Sequence, residues 1–232
     1  MSNPLHPPAA PRRRSVRSDG AETRAAILRC AAGVFAEKGY ARSTSREVCA
    51  AAGCNLAAVN YHFGSKAGLY QAVLVQAHDQ LVALDALEAI RHGGAAATEQ
   101  LRSVIALFLR RPGDPLLARS LRVLVQELMA PTEHAERLLR EAVLPKVRLM
   151  RGLVAALLGV PEDRPVVQRG LAFVILPCIM LVIAPPSVLG RALPALTADR
   201  QALLDDLGAY ALAGLESMKH RPDSTTRKVD AT

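Results

Sequence analysis

The chain has 232 residues, half of them apolar but only 3% aromatic and none of them tryptophan, with a formal net charge of +8. That length is ample for a core in one or two domains, and a core of Leu, Ala and Val suits packed helices better than sheets, so the expected fold class is all-α. Cys30, Cys49, Cys54 and Cys178 form no C-x-x-C pair and no zinc spacing, and the Pro- and Arg-rich start has no signal-peptide core; a reduced, cytoplasmic setting is expected, without metal, cofactor or membrane.

Residues 1–18 hold Pro4, Pro7, Pro8 and Pro11 and lack helical apolar periodicity, which predicts a disordered basic tail. Arg12, Arg13, Arg14 and Arg17 could lie along phosphates or dip into a minor groove; idle disorder is the alternative. Asp19 and Glu22 open the first full helix, whose stripe is Ile27, Cys30, Ala31, Val34 and Phe35 and whose stop is Gly39.

The stretch from Thr44 to Lys66 reads as two short helices and a tight turn. Thr44 and Glu47 make a capping box, Gly53 is the stop, and Asn55 caps a second helix that ends near Phe63. Val48, Ala52, Leu56, Val59 and Phe63 can pack the pair together, which leaves Asn55, Ala57, Ala58, Asn60, Tyr61 and His62 as a small, hydrogen-bonding face able to enter a groove. This is helix-turn-helix geometry, although a purely structural helical hairpin has the same pattern.

Gly64 and Ser65 stop and recap the chain, and Lys66 opens a helix carrying Leu69, Val73, Ala77, Leu81, Leu84 and Leu87 to a stop at Gly93-Gly94. At about 1.5 Å per residue such a helix spans roughly 40 Å. Thr98 to Arg110 is periodic through Leu101, Ile105 and Phe108; after R-P-G-D-P, Asp114 and Pro115 open a helix through Leu121 and Leu124 to Pro131. Thr132 is expected to cap the next, which runs to Gly159 with a kink at Pro145. Leu171 to Ala184 has no polar face; fourteen apolar residues are too few for a bilayer, so a helix covered on all sides and bent at Pro177 is expected. Pro185-Pro186 end it, Thr197 starts a last amphipathic helix to Met218, and residues 219–232 form a flexible tail.

The positive charge sits with the motif. Through Lys66 there are ten Lys or Arg against four Asp or Glu, whereas from Ala67 to Met218 there are fifteen of each. A basic N-terminal region on a neutral remainder suits a nucleic-acid binder, because neutralised phosphates release counterions.

The order Thr44, Val48, Ala52-Gly53, Tyr61-His62-Phe63, Ser65-Lys66 and Leu69 resembles the DNA-binding motif of the TetR family of bacterial regulators, over Asp19 to Leu81, and N-L-A-A-V-N-Y-H-F is most similar to its CecR-like branch. Cys49 and Cys54 depart from the usual small and branched aliphatic residues, and Asn60 stands where many members carry tyrosine. The resemblance implies residues 19–81 as the DNA-binding domain and 82–218 as a helical effector-binding and dimerisation domain, with an effector cavity among the middle helices. Phe108, Leu124, Leu128, Met129, Met150, Phe173 and Cys178 are the candidates to line that cavity, with plain core as their other reading. The implied function is a ligand-responsive repressor released by a small apolar effector, with efflux or drug-tolerance genes as targets.

Chemistry divides the DNA-binding candidates. Thr44, Ser45, Tyr61, His62 and Lys66 suit phosphates, while Arg46, Asn55, Leu56, Ala57 and Asn60 suit base edges and thymine methyls. An all-apolar helix needs more cover than a small monomer provides, so a homodimer on double-stranded DNA is expected, reading a palindromic operator with half-sites about 34 to 36 Å, or a multiple, apart. No nucleophile elbow, phosphate loop or H-E-x-x-H is present, so no catalytic residue is assigned; an all-α enzyme, a ligand-binding bundle without DNA, and a thiol-based sensor using Cys49, Cys54 and Cys178 are the rival readings.

Overall fold

The computed structural model describes residues 15–110 and 115–219. Arg12, Arg13 and Arg14, the Asp114 cap, the tail beyond Lys219 and the side chain of Arg17 lie outside the described residues. Every regular element among the described residues is helical, which makes the fold all-α. The chain divides into two compact units, one running to Ala72 and the other from Val73.

The first unit holds α1 (Ser15–Arg42), α2 (Ser45–Ala52), α3 (Leu56–Phe63) and the start of α4 (Lys66–Leu81). α1 opens at Ser15, ahead of the expected Asp19, because backbone hydrogen bonds carry a helix past the end of its buried stripe. Gly39, at φ 72° and ψ 169°, breaks the run where a stop was expected. Ile27, Phe35, Val48, Val59 and Leu69 are fully buried, each contributing roughly 1.5–3 kcal/mol. Phe35, Tyr40 and Tyr70 stack edge to face and tilted, with centroids 5.0 Å apart for Phe35–Tyr70 and 4.7 Å for Tyr40–Tyr70, which ties α1 to α4. The first turn of α4 approaches α3 so closely that a Cβ on Gly68 would stand 2.1 Å from the Phe63 carbonyl oxygen.

In the second unit α4 ends at Leu81, Ala83 turns extended (ψ 138°), and α5 (Leu84–His92) follows. The single helix expected from Lys66 to Gly93 is therefore two, and α4 is about 24 Å long. The spacing of Leu81, Leu84 and Leu87 runs through the break because both helices turn toward one core; Val82 is buried at the corner, and Asp85 Oδ1 accepts from Ala86 N. That core is built from α5, α6 (Ala97–Phe108), α9 (Leu144–Leu158), α10 (Pro165–Ile183) and α13 (Arg200–Lys219), through Leu87, Leu101, Ile105, Leu153, Val167 and Leu215.

Between α6 and α9 lie α7 (Pro115–Met129) and α8 (Ala135–Leu138). Thr132 caps the turn that leads into the expected helical run, its Oγ1 accepting from His134 N at 3.2 Å while its own N–H and hydroxyl donate to the buried Glu127 Oε1, at 2.9 and 2.8 Å; that run, to Leu158, is not a single α-helix. The chain instead enters α8, widens into a π-turn over Leu139–Val143, and enters α9 with Pro145 in its first turn. The wide turn absorbs the proline, which has no N–H to offer the preceding carbonyls.

α10 is longer and less covered than the sequence suggested. It begins at Pro165, since Gln168 and Arg169 interrupt the apolar run but not the helix, and at nineteen residues it is long and apolar enough to cross a membrane by length and composition alone. Within this chain it is not covered on all sides: Phe173, Leu176 and Met180 are more than half exposed. Short helices α11 (Pro186–Ala192) and α12 (Ala195–Ala198) precede α13. Asp199, not Thr197, opens α13, its Oδ1 accepting from the N–H groups of Gln201 and Ala202.

Candidate nucleic-acid interface

The helix pair α2–α3 is held by short-range chemistry at each end. Thr44 Oγ1 accepts from Glu47 N at 3.3 Å while Glu47 Oε2 accepts from Thr44 N at 2.8 Å, completing the capping box. Lys38 Nζ donates to the other Glu47 oxygen at 2.5 Å, fastening α1 to α2. The Lys38 ammonium, helped by the Thr44 amide, holds the Glu47 carboxyl below its ordinary range. At the turn Gly53 is left-handed (φ 62°, ψ 31°), a conformation glycine adopts without a Cβ clash, and Cys54 N donates to Cys49 O at 3.0 Å. Asn55 then caps α3, its Oδ1 accepting from Ala58 N at 2.9 Å.

These constraints fix which side of α3 faces out. Val59 is fully buried, with Ala58, His62 and Phe63 half-buried on the same side. Leu56, Ala57, Asn60 and Tyr61 are exposed, Tyr61 at 85%, and at 100° per residue they share one face. Leu56, expected to help pack the pair, is 47% exposed and belongs to that outer face. Thr44 and Arg46 are exposed and Ser45 half-buried at the α2 N-terminus, where free N–H groups and the helix dipole favour an anion.

Three candidates are partly committed to the fold. The Asn55 carbonyl oxygen serves the cap, which leaves its NH2 for a partner. The Lys66 ammonium lies 4.4 Å above the Tyr40 ring, and His62 sits edge-on to Tyr61 at 5.0 Å. Sequence reasoning passed over the supporting residues Lys38, Tyr40, Tyr70 and Arg24, whose guanidinium lies 5.2 Å from the Phe63 centroid. A signal was available, because five of the eight aromatics fall between Phe35 and Tyr70.

The residues expected to line an effector cavity do not converge. Phe108, Met150 and Cys178 are buried in the core of the second unit and Leu124 is half-buried, but Leu128 and Met129 are 72% and 78% exposed and Phe173 faces outward. α7 is rotated so that Leu117, Ser120, Leu121 and Glu127 face inward, and the apolar pair that follows Glu127 is carried to the surface. Phe108 does line a cavity of about 10 Å³ with Gln80, Leu117 and Val182, and the Gln80 Oε1 is buried with no hydrogen-bond partner.

Residues 27–73 match the model of the tetR family of bacterial regulatory proteins, and residues 97–215 match that of the C-terminal domain of the HTH-type transcriptional dual regulator CecR. The chain is 38% identical over 64 residues to the HTH-type transcriptional repressor BepR of Brucella suis, and 36% identical over 66 residues to the HTH-type transcriptional regulator TtgR of Pseudomonas putida. Each match covers 28% of this chain and 31% of the relative, so it extends over less than a third of either protein. Two solved structures share the fold: the fatty acid degradation regulator FadR of Bacillus halodurans (TM-score 0.62, 16% identity, 82% of this chain and 98% of that one) and a tetR-family regulatory protein of Rhodococcus RHA1 (TM-score 0.58, 22% identity, 84% and 97%).

Proposed function

The chain belongs to the TetR family of bacterial transcription regulators, in its CecR-like branch, and from that premise we propose that it is a ligand-responsive repressor binding a palindromic operator as a homodimer. It is a DNA-binding regulator and not an enzyme. The reading rests most on the outer face of α3, where Leu56, Ala57, Asn60 and Tyr61 stand clear of a helix anchored from behind by Val59. Such a face fits a major groove, with Asn60 suited to an adenine edge and Leu56 and Ala57 to thymine methyls. Thr44, Ser45, Arg46 and the NH2 of Asn55 extend the contact, and Tyr61, His62 and Lys66 flank it with donors for phosphate. Residues 19–81 form the DNA-binding domain in this reading, and residues 82–218 the effector and dimerisation domain.

The exposed α10 stripe supports the dimer. Phe173 and Tyr210 edge a groove of about 190 Å³ between α10 and α13, and an apolar surface of this kind is covered by a second copy in a two-fold assembly. An effector bound within the second unit would shift the population of α4 orientations and release the operator. Efflux or drug-tolerance genes are the proposed targets and the cytoplasm the proposed location.

The test is fluorescence anisotropy with duplex DNA flanking the chain's own coding sequence, titrated at several salt concentrations. Sequence-dependent binding whose affinity falls linearly with log salt supports the reading. Equal affinity for unrelated duplexes sinks it.

A further inference from the structure

Three of the four thiols gather around the turn that leads into α3. Cys49 lies on the buried side of α2 and half-buried Cys54 follows Gly53; the 3.0 Å bond from Cys54 N to Cys49 O is the six-to-one bond of a Schellman turn. In such a turn these two positions normally bring their side chains together, and here both are thiols, near enough for Cys49 to act on Cys54. The third thiol, Cys30 on α1, is near enough to act on Cys54 electrostatically but donates to Ala51 O at 3.2 Å. The sensor set weighed from sequence was Cys49, Cys54 and Cys178, and the structure changes it. Cys178 is fully buried in the second unit, its Sγ donates to Val174 O, and burial pushes its thiol up to about 11.

We propose that Cys49 and Cys54 are a dithiol modification site, converted to a disulfide by hydroperoxides, and that the cross-link lowers operator affinity. The chemistry needs two thiols and one two-electron oxidant. The sulfur of the more accessible Cys54 attacks a peroxide oxygen; the O–O bond breaks, and the displaced oxygen leaves with the thiol proton as water or alcohol, giving a sulfenic acid. The Cys49 sulfur then displaces hydroxide from that sulfur, so the S–S bond forms as the S–O bond breaks, and the Cys49 proton leaves in a second water. The thiols lose two electrons and the peroxide gains them.

Both steps follow from the surroundings. Burial, with Cys49 adding to it, raises Cys54 above its ordinary 9.0, so little thiolate exists at neutral pH and the first step is slow. The second is faster, because the turn holds Cys49 beside Cys54. The site therefore responds to sustained rather than brief peroxide, and faster as pH rises. Closing a bond of about 2.05 Å between the two sulfurs tightens the turn one residue before the Asn55 cap, and so re-aims α3.

The consequence for DNA rests on the function proposed above; the modification does not. Trypsin cuts after Arg46 and Lys66, so both sulfurs fall in peptide 47–66 while Cys30 falls in peptide 30–38. The full chain is treated with hydrogen peroxide, alkylated with iodoacetamide and digested. Peptide 47–66 is expected two hydrogens lighter and unalkylated, with peptide 30–38 alkylated. Affinity for the flanking-DNA duplex is expected to fall on the order of tenfold, to return with dithiothreitol, and to be peroxide-insensitive in Cys54→Ser and in Cys54→Ala, the second variant guarding against misfolding of the first. Peptide 47–66 alkylated at both cysteines, a cross-link to peptide 30–38, or a disulfide that leaves affinity unchanged overturns the proposal. Should the reduced chain bind no duplex, the DNA-binding reading fails and takes the affinity half with it, while the peptide mass still decides the modification.

Discussion

Lys146 Nζ lies 2.5 Å from Asp79 Oδ1, with the lysine side chain 2% exposed and the aspartate 53% exposed. The same ammonium is 3.0 Å from His78 Nδ1, so a lysine on α9 is spent on the last turn of α4. A buried ion pair is worth little over an apolar pair of the same shape, but either partner left alone is costly. Here the exposures differ, and the cost should differ with them. Asp79→Asn strands a buried ammonium and is expected to destabilise by about 2–4 kcal/mol, whereas Lys146→Met leaves a carboxylate that water can reach and should cost less than about 1.5 kcal/mol. Urea denaturation of the two variants decides it, and the opposite ranking would show that the pair is wetter than its burial implies.

His78 gives the second unit a specific acid sensitivity. Burial, then the Lys146 ammonium, pull its pKa from 6.5 to about 4, with Asp79 opposing. The folded value is below the unfolded one, so on acidification the unfolded chain takes up the proton first. The stability this neutral imidazole contributes is complete above pH 6.5 and drains away between about 6.5 and 4. The slope is at most about 1.4 kcal/mol per pH unit, and carboxylates titrate in the lower part of the same window. Comparing wild type with His78→Gln isolates it: the wild-type stability curve should be steeper from pH 6.5 to 5, and parallel curves would count against a buried neutral His78.

Asn60 and Lys66 should separate reading from anchoring. Asn60 is exposed on the outer face of α3, so Asn60→Ala should relax preference at one base pair by about 1–3 kcal/mol without moving the melting temperature. Lys66→Ala should weaken all sequences alike and lower the salt slope by about one. Because its ammonium also covers Tyr40, it should in addition cost about 0.5–1 kcal/mol of stability, a loss that Lys66→Arg restores. A Lys66→Ala protein of unchanged stability and altered sequence preference would reverse the two roles.

Gly68 carries a steric expectation. An added Cβ would meet the Phe63 carbonyl oxygen at 2.1 Å, and a backbone atom cannot swing aside as a side-chain tip can. Gly68→Ala, normally favourable inside a helix, should here cost about 1–3 kcal/mol and weaken DNA binding by moving α4 off the end of α3. Equal or higher stability in thermal denaturation would mean that α4 shifts freely.

Local chemistry made α2 and α3 legible in the sequence: capping by Thr44 with Glu47, the left-handed Gly53 and the Asn55 cap are decided within six residues, and periodicity placed Val59 inward. Periodicity failed where two helices share one core, since Leu81, Leu84 and Leu87 keep helical spacing across the extended Ala83. It also failed on α7, where the inward position belongs to Glu127: a buried carboxylate satisfied by Thr132 cannot be told in sequence from an exposed one. The Lys146 pair and the placing of Cys49 beside Cys54 depend on a fold-level approach or on the geometry of a turn, which composition does not carry.

The apolar stripe on α10 is where pairing of the regulator can be tested. Phe173, Leu176 and Met180 recur at three and four residues, so they line one side of the helix, and Tyr210 of α13 stands exposed at the groove that Phe173 also lines. Such a stripe in water forfeits roughly 25 cal/mol for each Å² of apolar surface left uncovered, which favours a second copy over a free monomer. Leu176→Asp puts a charge in the middle of that surface while disturbing nothing buried, since the side chain is 56% exposed. Sedimentation velocity should show the wild-type chain as a dimer at micromolar concentration and Leu176→Asp as a monomer of unchanged helicity. Operator affinity should fall with it, because two linked heads bind with an effective concentration that separate heads lack. A monomeric wild-type chain, or a variant that dimerises and binds DNA as before, would place the interface elsewhere and leave the α10 stripe for another partner.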